Sequence, residues 1–144
     1  MNSSDTVKLL RECDAGLKMG VASIDEVLES VSCSELKNLL QESKNQHEKL
    51  KDEITELLKE HGEQEKEPNP IAKGMSWIKT NVKMGMDNSD ATVADLITDG
   101  CDMGIKSLNR YLNQYKMADD ISKELCKRLI SVEEQLCKNV SKYL

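Results

Sequence analysis

Phenylalanine is absent from this chain of 144 residues, and its aromatic side chains are only Trp77, Tyr111, Tyr115 and Tyr143. A core must then be filled by Leu, Ile, Val and Met, which suits packed helices better than a sheet sandwich. Proline is as scarce. Pro68 and Pro70 are the only two and stand close together, which leaves long stretches without a helix breaker. Positive charge is short too: 20 Lys and Arg against 26 Asp and Glu give a net charge of −6, with no basic run to offset it. Such a surface repels nucleic acid and anionic membrane, so neither is expected as a partner. No apolar stretch is long enough to span a bilayer. The start from Met1 to Thr6 is polar and has no apolar signal core, so a cytoplasmic location is expected. The cysteines, Cys13, Cys33, Cys101, Cys126 and Cys137, are odd in number and no two have CxxC spacing. That pattern argues against a disulfide framework and a zinc knuckle, and for reduced thiols used as small core residues.

What the chain does have is helical periodicity. Val7, Leu10, Asp14, Leu17, Val21, Ile24, Leu28 and Val31 recur at steps of three and four, which predicts a helix from about Ser4 to Val31. Ser32 and Glu35 read as a capping box for a second helix. Its stripe is Leu36, Leu40, Ser43, His47, Leu50, Ile54 and Leu57, and His61-Gly62 ends it. A charged linker follows, and Pro70 opens a short helix carrying Ile71, Met75, Ile78, Val82 and Met86. The sequence Asp87-Asn88-Ser89-Asp90 reads as a break and a new N-cap. The third long helix has the stripe Val93, Leu96, Gly100, Met103, Ser107 and Tyr111. Asp119 or Asp120 caps a fourth with Leu125, Leu129, Val132, Leu136, Val140 and Tyr143. The length suits a single domain over 1–144: a hairpin over 4–61, a crossover over 62–90 and a hairpin over 91–144.

The two halves share a short motif. Cys13-Asp14-Ala15-Gly16-Leu17-Lys18 resembles Cys101-Asp102-Met103-Gly104-Ile105-Lys106, each followed by a helix that starts near Glu-Leu. This predicts a duplicated hairpin with Asp14 equivalent to Asp102. It also predicts close approach of the first and third helices at Gly16 and Gly104, where glycine otherwise costs about 1 kcal/mol relative to Ala. Two related antiparallel hairpins joined by one long crossover form an all-α four-helix bundle with ferritin-like connectivity.

With its inward acids on the first and third helices and His47 on the second, the chain resembles the ferritin-like superfamily. The segments Leu9–Gly16, Trp77-Ile78-Lys79 and Cys101–Gly104 followed by Tyr111 are similar to an uncharacterised, rubrerythrin-like bacterial branch of it. The resemblance implies a cytosolic four-helix bundle that associates with its own kind, most simply as a homodimer. It also directs attention to a metal centre. A di-iron site of this kind takes one carboxylate from each of two helices and Glu-x-x-His from each of the other two. Asp14 and Asp102 match the single carboxylates. His47 has Lys44 where Glu belongs, and Glu133 has Leu136 where His belongs. The candidate metal ligands are thus Asp14, His47, Asp102 and Glu133, a degenerate set; no cofactor is expected, iron or another divalent ion being the alternative, and no catalytic residue is assigned. Lys18 and Lys106, four residues after each Asp, stand ready to neutralise the acids in place of a metal. The chain is therefore expected to be a non-catalytic, self-associating interaction or stress-associated bundle. A ferroxidase or peroxide-consuming metalloprotein is the alternative.

Overall fold

The computed structural model describes residues 3–62 and 89–144. Four long helices make up nearly all of it: α1 Ser3–Leu28, α2 Ser34–Glu60, α3 Asp90–Gln114 and α4 Asp120–Val140, with a 3-10 turn over Ser141–Tyr143. There is no strand among the described residues, and no helix among them is long and apolar enough to cross a membrane. The short helix expected over 71–86, with Trp77, lies outside the described residues.

The helix ends follow local chemistry, with one correction. Ser89 caps α3 by accepting from the Thr92 amide at 3.2 Å. Asp119 caps α4 by accepting from the Ser122 amide at 2.8 Å. Gly62 takes the left-handed conformation after α2, with φ 73°, as a residue without Cβ can. The capping box at Ser32 does not form. α2 starts at Ser34 behind Cys33, which makes no side-chain cap bond. The reason is competition from the other half of the chain. The Asp90 carboxylate accepts from the Ser32 amide at 2.8 Å and from the Cys33 amide at 3.0 Å, while Glu35 is drawn to Lys142 Nζ at 2.6 Å. The turn between α3 and α4 is held in a matching way. Thr6 Oγ1 accepts from the Asp119 amide at 2.9 Å, and Asp5 Oδ2 accepts from the Met117 amide at 3.0 Å. Each helix pair thus lends the first turn of its leading helix to fasten the turn of the other pair.

The apolar core comes in two parts. One joins Leu10, Cys13 and Leu17 of α1 to Leu50, Ile54 and Leu58 of α2, Leu108 of α3, and Leu125, Cys126 and Leu129 of α4. The other joins Ile24 and Val27 to Leu36 and Leu40, to Val93, Leu96, Ile97 and Cys101, and to Leu136 and Val140. Every helix passes from one apolar part to the other. The positions it passes through are Gly20 on α1, His47 on α2, Gly104 on α3 and Glu133 on α4.

The repeat exists in burial, but in a different register from the hexapeptide match. The step that carries Gly20 onto Gly104 also carries buried Leu9 onto Val93, Leu10 onto Ala94, Cys13 onto Ile97, Leu17 onto Cys101 and Ile24 onto Leu108. It carries Thr6, which fastens one turn, onto Asp90, which fastens the other. In that register the partner of Asp14 is Thr98, another buried polar residue, and not Asp102. The matched motif is four residues out of step: in the register of burial Asp102 takes the place of Lys18 and Met103 that of Met19, neither of them a core position, and Met103 is 54% exposed. On α2 and α4 the corresponding step sets His47 opposite Glu133, with buried Leu36, Leu40, Leu50 and Ile54 falling on buried Ser122, Cys126, Leu136 and Val140.

Removing the carboxylate that fastens the first turn should be costly. Asp90→Ala leaves two amides without their charged acceptor and should lower stability by about 1–3 kcal/mol, read as the shift of a urea unfolding curve.

Candidate functional site

The polar layer between the two apolar parts is built around His47. It falls on the stripe Leu36, Leu40, Ser43, His47, Leu50 and Ile54, all of which are buried as their spacing predicts; Leu58, rather than Leu57, completes the face. The imidazole is wholly buried. Its Nδ1 lies 2.7 Å from the Ser43 carbonyl oxygen. A carbonyl only accepts, so Nδ1 carries a proton. Its Nε2 lies 2.5 Å from Glu133 Oε1 on α4. A carboxylate there requires a donating Nε2 and hence an imidazolium; a neutral imidazole requires Glu133 to donate. Either way one proton sits between the two groups and the pair has no net charge, the form in which a polar pair is tolerated inside a core. Burial by itself disfavours the charged ring. The Glu133 hydrogen bond and charge, with the Ser43 carbonyl, outweigh it and hold the His47 pKa above its ordinary value.

Glycines on the other two helices make room for this pair. A Cβ on Gly20 would lie 2.9 Å from His47 Cδ2 and 3.0 Å from Nε2, closer than carbon atoms pack. A Cβ on Gly104 would meet Glu133 Oε2 at 3.7 Å, an ordinary contact. Gly16 faces open space, so the close approach expected at Gly16 and Gly104 is made at Gly20 instead, by a side chain of α2 and not by the backbone of α3. Cys101 extends the layer. Burial, followed by the charge and hydrogen bond of Glu133, pushes its thiol pKa far up, so it stays protonated and is a poor nucleophile. Cys13 lies in the neighbouring apolar part and hydrogen-bonds Cys126, which together with burial keeps its proton firmly bound.

The other two candidate ligands part company. Asp14 is fully buried, and Lys18 Nζ approaches its Oδ2 to 3.1 Å, an ion pair by distance whose angles fall outside a directed hydrogen bond. Asp102 is exposed and receives the Cys137 thiol at 3.7 Å. Its expected burial and its pairing with Lys106 are both overturned, because in the register of burial it takes the place of Lys18, at the edge of the core, and not that of Asp14. Lys44, in the place of a ligand three residues before His47, turns to Asp25 Oδ1 at 2.6 Å.

These positions do not fit a di-iron centre. Such a centre needs several oxygen and imidazole donors converging on two ions. Here the one histidine nitrogen free to ligate is engaged by the one carboxylate beside it, Asp14 faces a lysine and Asp102 faces out. Among the described residues no three His, Cys, Asp or Glu side chains gather so as to hold a metal ion. No known protein family, curated protein or solved structure matches the chain, so the chemistry of the layer rests on its own geometry.

Two tests address this layer. Gly16→Ala should stabilise the protein by up to about 1 kcal/mol, since it gains helix propensity and meets nothing. Gly20→Ala should destabilise it by about 1–3 kcal/mol through crowding of a pinned ring. The second test uses pH. A histidine whose folded pKa is raised contributes stability that is fully present below its unfolded value of about 6.5 and is lost as pH climbs through the folded value. The stability advantage of wild type over Glu133→Gln should therefore be largest near pH ~6 and shrink above neutrality, as measured by urea unfolding at a series of pH values.

A further comparison concerns Lys18. Breaking a buried pair costs about 3–5 kcal/mol, so Lys18→Met should destabilise clearly, and Asp14→Asn in that background should recover part of the loss. Lys106→Met should stay within about 0.5 kcal/mol of wild type, as a surface change does.

Proposed function

We propose that this chain is an antiparallel, ferritin-like four-helix bundle that acts without catalysis, as a self-associating interaction or stress-associated protein in a bacterial cytoplasm. The observation that carries the reading is the His47–Glu133 pair. It lies at the middle of the four helices, where a ferritin-like protein would place its metal, and a shared proton stands there between the two groups. The Asp14–Lys18 contact supports the same substitution, an ammonium standing where a cation would otherwise balance the acid. The opposed order of contacts, early α1 with late α2 and late α3 with early α4, supports the antiparallel arrangement. For self-association the reading looks to the exposed apolar side chains, Met103 among them.

A metalloprotein with ferroxidase or peroxide-consuming activity is the second reading. It is favoured by one feature: His47 donates Nδ1–H to a backbone carbonyl, which is how a ligating histidine is commonly oriented.

Anaerobic Fe(II) loading, elemental analysis and sedimentation separate the two. The first reading expects a dimer with well under one iron per chain and no near-ultraviolet band on admitting oxygen. Two irons per chain, with a band that His47→Ala abolishes, would establish the second reading in its place.

A further inference from the structure

Away from the polar layer, α2 and α4 leave an open groove between the last turns of one and the first turns of the other, with a volume of about 660 Å³. Its floor is apolar, made by Leu57, Leu125 and Ile121. Ile121 is 61% exposed, and Met117, in the turn that precedes α4, is 58% exposed. A soluble bundle gains nothing by holding a branched aliphatic and a methionine in water, and such patches commonly mark contact surfaces. Met is also the side chain that best adapts its shape to a partner.

The rim states what kind of partner fits. Glu53, Glu56, Glu60, Asp120 and Glu124 border the floor, and Arg128 is the one cation among them. Arg128 is already taken: its two terminal nitrogens lie 3.1 and 3.0 Å from the two Glu53 oxygens in a bidentate pair. Among the described residues Glu56, Glu60, Asp120 and Glu124 form no ion pair. A second copy of this chain, at net charge −6, would meet the rim with like charge. Nucleic acid and anionic lipid would do the same.

We propose that this groove docks a basic amphipathic helix of another protein. The helix would set apolar side chains at spacings of three and four on Leu57 and Ile121, with Lys or Arg flanking them against the acidic rim. Apolar contact supplies the hold, while the rim supplies the speed of encounter and the choice of partner. The proposal rests on the reading of the chain as an interaction protein, but the two fail separately. A chain that oxidises iron yet docks the helix removes the earlier reading alone. A chain that takes up no iron and ignores the helix removes this one alone.

The probe is a fluorescein-labelled peptide of Leu and Lys in amphipathic helical order, compared with a scrambled peptide of the same composition, by fluorescence anisotropy on the full chain. The ordered peptide should bind at least about tenfold more tightly than the scrambled one, and more weakly as salt is raised. Ile121→Ser and the double change Glu56→Lys with Glu124→Lys should each weaken it about tenfold. All three positions are exposed, and circular dichroism confirms that the variants fold. Equal binding of the two peptides, or binding indifferent to these variants, overturns the proposal. So does a peptide refused by wild type but admitted when Lys73, Lys79 and Lys83 are changed to Ser, because the groove would then be filled from within the chain.

Discussion

The structure turns on a single hydrogen bond, that between His47 Nε2 and Glu133 Oε1. It joins α2 to α4 through the middle of the molecule, and both side chains would be expensive to bury alone. The imidazole needs its carbonyl at Ser43 and its acid at Glu133, and the acid needs the proton that lies between them. The surrounding helices are shaped to this pair. α1 gives up a side chain at Gly20 so that the ring can lie against its backbone, and α3 presents Gly104 to the carboxylate. The apolar core is divided on either side of the layer because the layer cannot be apolar. A polar layer of this kind also restricts how the helices can slide, since a shift of one turn would strand His47 against leucines.

Much of this was readable from periodicity. The α2 stripe, with Ser43 and His47 facing inward, is present residue for residue up to Ile54, because a long amphipathic helix without Pro or Gly leaves little choice of face. What misled was similarity without register. Two stretches reading Cys-Asp-x-Gly look like equivalents, yet burial follows the three-four spacing around them. Leu17, Gly20 and Ile24 continue the inner face of α1, a signal that points to Gly20 and away from Gly16. On α3 the same spacing runs through Ile97, Cys101, Gly104 and Leu108, which leaves Asp102 outside. The capping box at Ser32 failed for a different reason. Local sequence proposes a cap, but a carboxylate from the far half of the chain offers the same amides a charged acceptor.

The four candidate ligands do not share one environment. Asp14, His47 and Glu133 each hold a polar place near the core, met there by a lysine, by a carbonyl with an acid, and by a histidine. Asp102 lies elsewhere on its helix. The thiols follow the same logic. Cys13 and Cys101 are both buried, and their neighbours favour the protonated form.

The reciprocal fastening of the two turns bears on how the chain reaches this structure. Within a helix pair, contacts form between residues close in the sequence and can be made early. The bonds from Asp90 to the first turn span 58 and 57 residues, and that from Thr6 to the second spans 113. Contacts of such separation carry the largest loop-closure entropy and accumulate late. Until they form, the amides of Ser32, Cys33, Met117 and Asp119 are served by water alone, so each helix pair in isolation is an incomplete object. The last event in folding is then the mutual locking of two halves, neither of which carries the key to its own turn.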